Sequence, residues 1–190
     1  TPLMLVLWWG LLADGYLTAL RYFANALLPH FFSKGLQFIQ PFHSGGWVIS
    51  TGLNVVGKSP AEEFLFQLDK ARYLNRTVMG FPLLWALVLA TKKNWFLPVV
   101  QGSLLLTALC LTGIAGYIWG VLATVLNPGD ALSVRIREAP NLTVIGEPYS
   151  QITHFLASVA FFGQSLTVPV IGPVLIWAVL CRDEIKRWLT

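Results

Sequence analysis

Asp14 and Arg21 stand seven residues apart in a stretch that is otherwise almost wholly apolar. Seven residues are two helical turns, so both side chains fall on one face, and Thr18 and Asn25 extend the same stripe. Charge near the centre of a bilayer is penalised by a few kcal/mol on insertion scales, so such groups normally face protein and have a partner. Two kinds of chemistry fit the pattern. The stripe either lines a proton or substrate path, or it is a polar seam that binds this helix to another helix or to a partner protein. Gln164, in a later apolar run, lies at a depth similar to Asp14 by rise per residue, and a hydrogen bond between the two is expected. Asp14, Arg21, Asn25 and Gln164 are therefore the candidate binding residues.

A catalytic alternative would start from the cysteines. A cysteine nucleophile needs a base within hydrogen-bond reach. Cys110 lies about fifteen residues into its apolar run, roughly 22 Å from the inner end at the helical rise. His154 opens the last run at the opposite end, His30 and His43 belong to the first long loop, and Cys181 lies at the inner surface. No catalytic residue is expected. The three histidines match no familiar ligand spacing, so neither a metal site nor a cofactor is expected. Two cysteines, both in or beside apolar runs, do not make a disulfide framework.

The elements that must hold these residues follow from composition. Hydrophobic residues make up 55% of the 190 and charged residues 12%, with a mean hydropathy of +0.64. Four runs, 3–28, 74–91, 95–125 and 152–181, are each long enough to cross a bilayer, which takes roughly 20 apolar residues as a helix. The expected fold class is an all-α polytopic membrane protein, with four transmembrane helices and a small β-rich extracytoplasmic cap in a single domain. The chain opens on Thr1 rather than Met, so preceding residues are expected. The first run has no A-x-A cleavage site and continues into 15–28, which reads as a retained span.

Trp8, Trp9, Trp95 and Trp188 are placed for interfacial aromatic belts. Pro82, Pro98, Pro169 and Pro173 are expected to kink spans two to four, and Gly116-Tyr-Ile-Trp-Gly120 to serve close helix packing. Lys92 and Lys93 fill the short turn between spans two and three, and Arg182, Lys186 and Arg187 follow span four. Short loops dense in Lys and Arg stay on the cytoplasmic side, so both termini are expected inside and the loops 29–73 and 126–151 outside. A net charge of +4, without a basic face interleaved with exposed aromatics, argues against a nucleic-acid partner. The implied partners are the lipid bilayer and another integral membrane protein or a second copy.

Within the outer loops, Phe31, Phe32, Leu36, Phe38, Ile39 and Phe42 read as an amphipathic interfacial helix. Residues 47–56 and 62–69 alternate with a period of two and read as a hairpin, with a helix begun at Ser59-Pro60 as the competing assignment. Leu132-Ser-Val-Arg-Ile-Arg137 alternates as a third strand. The triplets at Asn75 and Asn141 match the glycosylation pattern, which arises often by chance.

The stretch Leu74-Asn-Arg-Thr-Val-Met-Gly-Phe-Pro-Leu-Leu-Trp-Ala-Leu-Val-Leu-Ala90, followed by its basic turn, resembles the second span of small bacterial membrane proteins encoded beside exosortase H. Gln164-Ser-Leu-Thr-Val-Pro-Val-Ile-Gly-Pro-Val-Leu-Ile-Trp-Ala178 resembles their last span, and the layout of four spans and two unequal outer loops is similar too. The resemblance implies a non-catalytic accessory subunit in the bacterial inner membrane, partnering a sorting or envelope-assembly enzyme such as an exosortase. Exosortases use a Cys, an Arg and a His near the outer face; this chain has Arg135, Arg137 and His154 there but no outer cysteine. The rival expectation is a small transporter or channel component using the Asp14–Arg21 stripe.

Overall fold

In lipid every backbone N–H and C=O must find a partner within the protein, and a helix provides this inside one segment. The apolar runs accordingly fold as helices. The structure, a computed structural model, describes residues 2–32, 35–43, 45–56, 62–127 and 144–189. Helix α1 is continuous through Pro2–Leu7, Trp8–Leu12 and Ala13–Phe31. It is followed by α2 (Lys70–Thr91), α3 (Phe96–Leu126) and α4 (Gln151–Leu180), each long and apolar enough to cross a membrane. A short amphipathic α5 (Arg182–Leu189) ends the chain.

Among the described residues three turns widen to π geometry: Trp8–Leu12 in α1, Lys70–Leu74 at the head of α2 and Thr167–Ile171 in α4. Pro169 gives the last of them a cause, because it has no N–H to place in the regular ladder. Pro98 is the third residue of α3, in the first turn, where a missing N–H leaves no gap. It therefore does not interrupt the span.

Side-chain contacts fix how the helices run. Tyr73 of α2 donates to the Gly113 carbonyl at 3.1 Å, and the Trp85 indole donates to Ser103 at 2.9 Å, so α2 and α3 are antiparallel. Tyr73 also reaches Gln164, while the Trp177 indole donates to Thr91 at 2.9 Å, so Gln164 stands at the Lys70 end of α2 and Trp177 at the Thr91 end, and α4 is antiparallel to α3. That last sense makes α2 and α4 parallel in chain direction. Trp8 stacks on Phe81 with centroids 5.0 Å apart, and Asp14 pairs with Lys70 at 2.7 Å. Rising residue numbers in α1 thus meet falling numbers in α2. The result is an up-down-up-down bundle.

The sheet leans on the upper halves of α1 and α3. Strands β1 (Phe38–Pro41), β2 (Trp47–Val55) and β3 (Glu63–Leu68) pair antiparallel in that order, and β4 (Val144–Ile145) joins the far end of β2. Ile39, Trp47, Ile49 and Leu68 share one core with Leu17, Leu20, Ala24 and Leu28 of α1. Val55, Phe64 and Val144 pack with Val121, Val125 and Leu126 at the end of α3.

The β2–β3 hairpin falls where the period-two alternation places it. Residues 38–41 do not form the expected interfacial helix. They are an edge strand, because Gly35 at φ +119° breaks the helical path after Phe31 and the register Phe38↔Ser50 to Pro41↔Trp47 supplies ladder bonds. Pro41 lies at the strand's end, where a lost donor is tolerated. The expected strand 132–137 lies outside the described residues, as does Asn141. Trp8 leaves the interfacial belt altogether: it is 2% exposed, enclosed by Tyr16, Phe81 and Trp85. Trp9 and Trp95 are exposed.

Candidate functional site

The stripe on α1 faces the sheet and the head of α2 rather than α4. Asp14 is 77% exposed and its carboxylate meets the Lys70 ammonium at 2.7 Å. Thr18 donates back to the Asp14 carbonyl at 2.9 Å. Arg21 is half-buried with its guanidinium 5.2 Å from the Tyr22 ring centre. Asn25 accepts from the Ile39 amide at 2.8 Å, so one end of the stripe anchors strand β1 to α1. Asp14, Thr18, Arg21 and Lys70 line a cleft of about 210 Å³ closed on the sheet side by Gly45, Gly46 and Trp47.

Gln164 has another partner. Its side-chain oxygen is 3.0 Å from the Tyr73 hydroxyl, which also stands 3.1 Å from the Gly113 carbonyl. The expected Asp14–Gln164 hydrogen bond is therefore replaced by two separate pairs, Asp14 with Lys70 and Gln164 with Tyr73. The reason is lateral rather than vertical. Gln164 turns toward the α2–α3 seam, whereas Asp14 lies on the far side of α2's head. The phenol has one proton for two acceptors, and the node is fully satisfied when Gln164 turns its amide nitrogen toward the phenol oxygen.

Beside this node is a second cleft of about 60 Å³, lined by Arg72, Tyr73, Arg76, Thr77, Gln164 and Ser165, with Pro169 at its edge. Two of the three π turns meet here, at Lys70–Leu74 and Thr167–Ile171, a feature that recurs at functional sites. Lys70 and Arg72 fall within the expected loop 29–73, whereas the helix begins at Lys70. The available signal was Asp69, whose carboxylate caps the Arg72 amide at 2.7 Å, followed by two arginines at i, i+4 spacing.

The cysteines and histidines stay apart. Cys110 is buried, with its thiol 3.4 Å from the Thr77 carbonyl. Gln164 and Gly113 share a level through Tyr73, so His154, ten residues up α4, lies roughly 15 Å above that level. Cys110 lies about one turn below it. Burial pushes the Cys181 thiol up from its ordinary range, with Lys92 acting in the opposite direction. Among the described residues no three of His, Cys, Asp and Glu gather as a metal set would require. Gly116 and Gly120 face α4: a Cβ on Gly116 would stand 3.1 Å from the Ala160 carbonyl, and one on Gly120 would stand 2.5 Å from the Phe161 Cβ.

Fold and site together define a helical membrane protein with a small sheet built against one end of its bundle. The geometry offers hydrogen-bonded seams, an ion pair and a basic cleft. The family described as exosortase H-associated membrane protein matches residues 1–184, and the chain belongs to that family. No match was found among curated proteins or among solved structures.

Proposed function

We propose that this chain is a non-catalytic accessory subunit of a bacterial inner-membrane complex containing exosortase H. The observation that carries the reading is family membership over nearly the whole chain, residues 1–184. Supporting it, α4 buries the smallest share of its residues among the three long apolar helices. Phe155, Val159, Phe162 and Leu166 are all exposed along it. That face is available to a helix of another membrane protein, with lipid as its resting neighbour. The polar residues Asp14, Arg21, Asn25 and Gln164 serve assembly in this reading, holding sheet and helices in register for a partner.

In this reading α1 is a fourth span and the sheet is an extracytoplasmic cap. Trp8 sits beside Phe81 and Trp85 while Asp14 sits beside Lys70, so α1 runs alongside most of α2's height. The alternative, a transporter component, requires a wet path along the stripe. Asp14 is instead held by Lys70 in an ion pair where α1 meets the sheet.

The test is purification from the native host in a gentle detergent, followed by mass spectrometry. Exosortase H in stoichiometric amount after washing is the expected result. A clean monomer or homo-oligomer overturns the reading and directs attention to flux measurements on Asp14→Asn.

A further inference from the structure

We infer that the cleft at the head of α2 binds the phosphate of an anionic phospholipid headgroup, held between Arg72 and Arg76. The two residues are one turn apart on one face, and both are exposed. Like charges at this spacing repel, and an anion between them removes the repulsion. Their neighbours leave them uncompensated. Asp14 pairs with Lys70, and the Asp69 carboxylate caps the Arg72 backbone amide. Among the described residues, no ion pair joins either guanidinium to a carboxylate. Planar guanidinium forks match phosphate oxygens two at a time, which an ammonium cannot do.

Depth identifies the source of the phosphate. Helix α2 has 22 residues, roughly 33 Å at the helical rise, against a hydrocarbon core of about 30 Å. Its far end meets Lys92 and Lys93, so with those lysines at one membrane surface Arg72, about 30 Å away, stands at the other, and Arg76, about 24 Å away, reaches headgroup level by extending its side chain. Below Arg76 on the same face come Met79 and Leu83, both exposed. A basic head above an apolar stripe matches an amphiphile and has no use for a free ion. The cleft, about 60 Å³, is small and takes a headgroup phosphate rather than an acyl chain. Gln164, fixed by Tyr73, forms its floor on the α4 side. Basic pockets between membrane helices recognise anionic headgroups in this manner.

Native mass spectrometry of the purified protein in neutral detergent tests this, with dioctanoyl phosphatidylglycerol, dioctanoyl phosphatidylcholine and inorganic phosphate as probes. Phosphatidylglycerol is expected to be retained in preference to phosphatidylcholine, and inorganic phosphate at equal concentration is expected not to displace it. Each arginine removed should weaken retention about fivefold. Arg72→Gln/Arg76→Gln should then hold the two lipids alike, while Lys93→Gln at the other end keeps the preference. Retention of phosphatidylglycerol by the double variant at the wild-type level overturns the site. An equal loss in Lys93→Gln overturns it in favour of diffuse surface charge, and displacement by phosphate overturns the lipid source. Should the double variant not purify, Arg76→Gln alone decides: fivefold loss supports the site, and no loss overturns it.

Discussion

Tyr73 ties three helices together, because from α2 it touches Gly113 of α3 and Gln164 of α4. Hydrogen bonds between membrane helices average about 0.6 kcal/mol and reach about 1.7. Tyr73→Phe is expected to lower stability by about 1 kcal/mol in thermal unfolding, and Gln164→Leu by a similar amount. The double variant should lose less than their sum, because the two share one bond. Asp14→Asn should cost less than about 1 kcal/mol, the usual worth of an exposed ion pair. The sequence alone assigns Asp14 and Arg21 together the bilayer penalty of a few kcal/mol. The polar stripe of Asp14, Thr18, Arg21 and Asn25 was legible by period, but its partners were not, since Lys70 and Ile39 arrive through a sheet whose path no local pattern dictates. Cys181 offers a further check. Its raised thiol pKa means that the neutral thiol persists through neutral pH, and the stability this contributes is present below the unfolded thiol's pKa, about 8.5, and declines above it. Maleimide should label Cys181 slowly at neutral pH in the folded protein and fully after unfolding.

At the scale of elements, close packing and strand irregularity set the geometry. Gly120 lets α3 approach α4 until a Cβ there would stand 2.5 Å from that of Phe161, whereas Gly163 has open space where its Cβ would be. Gly120→Ala is expected to destabilise by about 1–3 kcal/mol, the usual penalty of overpacking. Gly163→Ala should be neutral or slightly stabilising in the same unfolding assay. In the sheet, the register of β2 against β3 slips between Ser50 and Asn54. The Glu63 carboxylate holds that bulge by accepting from the Ser50 hydroxyl and from the Gly52 amide, and Gly52 itself takes φ +66°. Glu63→Ala leaves these donors unmatched and should cost about 1–3 kcal/mol, read as earlier loss of sheet signal on heating. The hairpin was legible because alternation over Phe64, Phe66 and Leu68 is local. Strand β1 was not, because the aromatic-rich stretch around it suits a helix equally well and only pairing with Trp47–Ser50 decides. The bulge and the π turns had no sequence mark beyond Gly52 and Pro169.

The whole molecule is polarised by charge. Lys92 lies 3.7 Å from Glu184 of α5, which gathers Lys92, Lys93, Arg182, Lys186 and Arg187 at one end of the bundle. The sheet occupies the other end. Short segments rich in Lys and Arg remain cytoplasmic, so the proposed orientation puts the sheet outside and, if α1 crosses, the start of the chain inside. The native thiols interfere little, since Cys110 and Cys181 are both buried. Single cysteines then report each end in intact spheroplasts treated with a membrane-impermeant maleimide. Asn54→Cys, on an exposed position of β2, is expected to label at once. Asn94→Cys, in the α2–α3 turn, should label only after lysis. Thr1→Cys separates the span counts: protection until lysis supports four spans, because the residue then shares the side of Asn94. Immediate labelling of Thr1→Cys together with Asn54→Cys would mean that α1 does not cross, leaving three spans. Labelling of Asn94→Cys with protection of Asn54→Cys would invert the protein and place the sheet, and any partner contact made through it, in the cytoplasm.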